Sequence, residues 1–87
     1  MNQLEILRES LGQCDEIILD ALLMRNRIVE DIMAYKEAND IPILQPEQEA
    51  KQKEWLERRM ADRRHKAEVE DVFGSITQNS KRIQARK

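Results

Sequence analysis

An all-α fold of three helices, the first much longer than the others, is what this sequence predicts. Three observations lead there. Charged residues make up 37% of the 87 residues and aromatics only 3%, with two Gly and two Pro, a composition suited to long helices. Apolar residues recur at alternating steps of three and four through the first third of the chain. The two prolines stand close together, at 42 and 46, and leave long uninterrupted tracts on both sides. At this length the chain reads as a single domain, residues 1–87.

The first helix is expected over about residues 4–38. Its seam runs Leu4, Leu7, Leu11, Cys14, Ile18, Ala21, Arg25, Ile28, Ile32, Tyr35, the pattern of a helix packed along one stripe. Gly12 costs it about 1 kcal/mol relative to Ala, which so strong a pattern absorbs. Asn39 and Asp40 suit a helix end, and Pro42 blocks continuation. Pro46 fits a first helical position, and Glu47 and Glu49 fit the positive end of a helix dipole. A second helix is therefore expected over about 46–62, burying Trp55, Leu56 and Met60. A turn near 62–66 has no Gly or Pro to mark it. A third helix over about 67–85 carries Val69, Val72, Phe73, Ile76, Ser80 and Ile83 near one face.

Two short helices can cover only the C-terminal half of the first. The apolar stripe from Leu4 to Ile18 then lacks intrachain cover, and exposing it forfeits about 25 cal/mol per Å². A homodimer with twofold symmetry is the expected solution.

Composition also excludes some classes. With 15 basic against 17 acidic residues, the charge balance argues against a nucleic-acid or membrane-surface partner. RRMADRRHK and KRIQARK read as solvated helix faces beside acidic neighbours. No apolar run approaches the ~20 residues of a membrane span, and MNQLEILRES lacks the order of a signal peptide. One cysteine, Cys14, rules out an internal disulfide and fits a reducing cytoplasm. A single histidine, His65, gives no metal pattern. Neither a phosphate-binding glycine loop nor a nucleophile elbow is present.

The informative residues are polar ones that interrupt the apolar pattern. Arg25 stands where the seam calls for another Leu, and a buried guanidinium needs a partner. A salt bridge, to Glu49 or to an acidic residue of a second copy, is one answer. A ligand is the other. Lys36 lies 11 residues on, within about 20° of Arg25 around the helix and about 16 Å along it. The two could bracket a small anion, although Lys36 alone also suits a solvated helix end. Arg8 is about 25 Å from Arg25 along the same helix, so it could share a site with Arg25 only across a dimer. Ser80 and Gln84 share a face at i, i+4, either as ligand hydrogen-bond groups or as a helix end entering solvent. Glu49 could accept from a ligand hydroxyl or simply serve the helix dipole.

Together these residues resemble the all-helical class of chorismate mutases. LEILRESLGQCDEIILDALLMRNRIVEDIMAYK is similar to that family's long first helix, with Arg8, Arg25 and Lys36 at its spacing. IPILQPEQE looks like its proline loop, and FGSITQNSKRIQ carries its Ser and Gln four apart. The resemblance implies an intertwined homodimer whose two sites each use both subunits. It implies that Arg25 and the partner's Arg8 hold two substrate carboxylates, and that Lys36 and Gln84 bind the ether oxygen. Glu49 and the backbone of Gln45 would take the ring hydroxyl, and Ser80 would support a carboxylate. The implied reaction, chorismate to prephenate on the route to Phe and Tyr, needs no cofactor and no metal.

Two positions depart from the family pattern. Gln48 stands where an Arg is common, and Gln45 where an acidic residue is common. They leave open a 4-amino-4-deoxychorismate mutase or an isochorismate pyruvate lyase on the same scaffold. A non-catalytic helical dimerisation module is the alternative of a different class. It predicts that Arg8 and Gln84 lie in solvent and that Arg25 meets a carboxylate.

Overall fold

The computed structural model describes residues 2–43 and 46–86 of the chain. It contains α1 (Gln3–Ala38), α2 (Pro46–Met60) and α3 (Lys66–Ala85), the all-α three-helix order expected. Asn2 starts α1: its side chain accepts from the Glu5 N–H at 2.8 Å, satisfying a donor the helix itself cannot. Thirty-six residues follow without interruption, about 54 Å of helix. They set the 57 Å long axis of the molecule.

The end of α1 is a local device. Asp40 adopts φ 54°, a left-handed conformation that Asp tolerates better than most residues. The Ile41 N–H then turns back to the Lys36 carbonyl at 2.9 Å, closing the helix in the Schellman manner. The break between α2 and α3 works similarly. Asp62 and His65 take φ 61° each, so the chain reverses with no Gly or Pro, and α2 ends two residues earlier than expected.

α3 packs along α1 and against α2. The described core is small: Val29 and Leu56 are its buried apolar side chains, and none is fully buried. Several burial expectations need correction. Leu56 is buried, but Trp55 is 44% exposed, because it meets Phe73 edge-on at 5.9 Å and leaves its outer side free. Val72 is exposed, about 100° around α3 from Phe73. The covered face of α1 is also not the expected seam. It comprises Leu22, Arg25, Asn26, Val29, Met33 and Lys36, while Ile28, Ile32 and Tyr35 stay exposed. A repeat of 3.5 residues drifts about 20° per heptad around a straight helix. By residue 28 the seam has rotated off the face that α3 covers. Leu4, Leu7, Leu11 and Ile18 are exposed, as expected for a stripe that the chain's own helices cannot reach. Among the described residues no helix is long and apolar enough to cross a membrane.

Candidate active site

Where α1, the chain following it, α2 and α3 meet, they enclose an open cavity of about 280 Å³, at the small end for small-molecule sites. α1 contributes Arg25 and Lys36, the first two turns of α2 contribute Gln48, Glu49 and Gln52, and α3 contributes Thr77, Ser80, Lys81 and Gln84. The α3 set follows from helical spacing: 77, 80/81 and 84 fall on one side.

Each charged group has a definite partner. Arg25 donates to the Ser80 hydroxyl, and Ser80, which is buried, donates in turn to the Ile76 carbonyl at 3.1 Å. Arg25 thus meets a neutral acceptor, and its planar fork keeps other N–H groups available. Lys36 donates to the Ile43 carbonyl at 2.7 Å, which aims its ammonium at the cavity and leaves two donors unused there. The Lys81 Nζ spans the Glu49 carboxylate, 2.9 Å from Oε1 and 2.8 Å from Oε2. Thr77 donates to Gln52 Oε1 at 2.9 Å, so the amide oxygen of Gln52 is engaged and its NH₂ group is free to point elsewhere.

Five of the residues read from the sequence therefore line one cavity: Arg25, Lys36, Glu49, Ser80 and Gln84. Arg8 does not. It is exposed on the uncovered half of α1, as its distance from Arg25 requires. The Gln45 backbone lies outside the described residues. Gln52, Thr77 and Lys81 were not anticipated as cavity residues. Gln52 follows Glu49 by three, Thr77 precedes Ser80 by three and Lys81 precedes Gln84 by three, so the i, i+3/i+4 rule applied to the anticipated residues finds them. Among the described residues no group of His, Cys, Asp and Glu could hold a metal ion.

The lining charges are three cations and one carboxylate among the described residues, a net +2 that suits a dianion. The family model for chorismate mutase type II matches residues 7–85 of the chain. Neither the curated proteins nor the solved structures gave a match.

Proposed function

Since the chain belongs to the chorismate mutase type II family, we propose that it converts chorismate to prephenate as a homodimer whose two sites draw on both subunits. The family supports activity of the chorismate mutase type, an isomerisation of a small molecule. The finer reading rests on one observation: Arg25, Lys36, Glu49, Ser80 and Gln84, on three different helices, converge on one cavity.

The chemistry asks for little else. In the rearrangement the ether C–O bond breaks as a C–C bond forms, within one cyclic transition state and with no proton transfer. The protein must hold a flexible dianion in the compact conformer that brings the two carbons together. Arg25, fixed by Ser80, binds one carboxylate with its remaining N–H groups. Arg8 of the partner subunit supplies the second cation. Lys36 and Gln84 donate to the ether oxygen, where negative charge grows; such preplaced donors are worth about 10²–10³ in rate each. Glu49, with the backbone at Gln45, receives the ring hydroxyl. The pathway assigned to this reaction is Phe and Tyr synthesis in the cytoplasm, a setting that the free, exposed Cys14 suits.

The dimer is supported by surface. The chain exposes 7564 Å², where a compact monomer of 10.3 kDa would expose about 5,400 Å². The excess of roughly 2,000 Å² per chain falls within the range of obligate dimers. Its radius of gyration is 16.6 Å, against about 12 Å for a compact chain of this length.

The test is loss of chorismate absorbance with purified protein, alongside sedimentation. We expect turnover well above the uncatalysed rate by a dimer. A folded dimer with no turnover above background rules the proposal out.

A further inference from the structure

Lys81 lines the cavity and pairs with Glu49 there, yet it alone of the charged lining groups has no part in the mechanism above. Lys81 reaches from the last turns of α3 to the first turn of α2, and its Nζ contacts both Glu49 oxygens at 2.9 and 2.8 Å. Gln48 lines the same cavity and is uncharged, so the cation beside Glu49 comes from α3. We propose that Lys81 is a specificity-determining residue, which makes the site accept a hydroxyl-bearing dianion and reject the amino analogue. The inference rests on the function proposed above and names the ring substituent its site selects.

The argument is one of donors and acceptors. A carboxylate offers about four lone-pair sites and an ammonium three donors, so the pair is not saturated by its own contact. A ligand hydroxyl placed at the pair both donates and accepts. It can donate to Glu49 and accept from Lys81 at once. A ligand ammonium only donates. It can bond to Glu49, but it meets Lys81 as a like charge within a few ångströms, an arrangement that costs binding strongly. Elsewhere in the cavity it fares no better. The other charged lining groups, Arg25 and Lys36, are cations, and Glu49 is the one carboxylate among the described lining residues. Without Lys81 the same carboxylate would be an unshared acceptor, the group an amino substituent needs.

The test compares chorismate with 4-amino-4-deoxychorismate on the wild-type dimer, Lys81→Met and Lys81→Arg. Both Lys81 and Glu49 are partly exposed, at 40% and 45%, so loss of the pair leaves the fold intact. The wild type should prefer chorismate in kcat/KM. Lys81→Met should shift that ratio at least tenfold toward the amino compound, and Lys81→Arg should retain it. A merely structural lysine would lower both rates alike and leave the ratio unmoved. A ratio within twofold of wild type in Lys81→Met overturns the proposal. Dissociation constants for both compounds, from calorimetric titration, give the same ratio without turnover. Absence of turnover of either compound by the folded wild type overturns the function proposed above, and the ratio of those constants then decides the role of Lys81 alone.

Discussion

The two halves of α1 are made of similar residues and meet different surroundings. From Leu22 to Lys36, α1 is covered on one face, and that face carries both Val29 and the cavity's Arg25 and Lys36. From Leu4 to Leu19, seven large apolar side chains stand between 45% and 70% exposed. Length explains the contrast. α2 and α3 span about 22 and 30 Å, too short to fold back along a helix of about 54 Å. The covered half holds a pocket and the bare half holds an unmet demand for burial. In the proposed dimer the two are linked, because the bare half that seeks a partner also carries Arg8. Completing the core and completing the site become the same event.

The largest effect should come from cutting that link. Arg25→Ala should lower kcat/KM by about 10²–10³ while circular dichroism and sedimentation stay unchanged. Arg8→Ala should do the same from the other half of the helix. Mixed, unfolded and refolded together, the two inactive variants should regain activity. Half the dimers are then mixed and one of their two sites has both arginines, so about a quarter of wild-type activity returns. If the mixture stays inactive although mixed dimers are shown by mass spectrometry, Arg8 does not serve the partner's site and the two halves are independent.

A smaller effect reads the bare half directly. Leu11 is 62% exposed in the single chain, and truncating so exposed a side chain should matter by less than about 0.5 kcal/mol. Covered by a partner, Leu11→Ala should instead cost about 2 kcal/mol or more per chain, comparable with Leu56→Ala at the buried side chain of α2. Urea unfolding at two protein concentrations separates the cases. A cost near zero for Leu11 would mean that the stripe is solvated and the comparison between halves is only one of shape.

Much of this was legible in the residues, and the failures have physical causes. Asn39, Asp40, Pro42 and Pro46 gave helix ends within a residue or two, because capping and proline chemistry are local. The break after Met60 was harder, since Asp62 and His65 reach left-handed φ without Gly. The covered face of α1 departs from the apolar seam because a 3.5-residue repeat and a 3.6-residue helix part company over 30 residues. In the cavity, Arg25, Lys36, Ser80 and Gln84 stood out as polar residues on apolar faces, which a single helix can reveal. Lys81 and Gln52 did not. They follow only at one remove, three residues from Gln84 and from Glu49 on the same helix faces, and their pairing with Glu49 and Thr77 is a relation between α2 and α3 that no single periodicity encodes.

The smallest test concerns the flank of the bare half. A Cβ built on Gly12 meets nothing within 4 Å in the single chain, and Gly in a helix interior costs about 1 kcal/mol relative to Ala. Gly12→Ala should therefore raise the melting temperature by a few degrees. The position is informative because Gly12 lies about 100° around the helix from Leu11, in line with Leu19 and Leu23 at seven and eleven residues further on. If only the seam faces the partner, the added methyl enters open space and stabilises. A fall in melting temperature would mean that a partner backbone approaches this flank closely. The buried stripe would then extend beyond the seam to include Leu19 and Leu23, and the bare half would be enclosed on two sides instead of one.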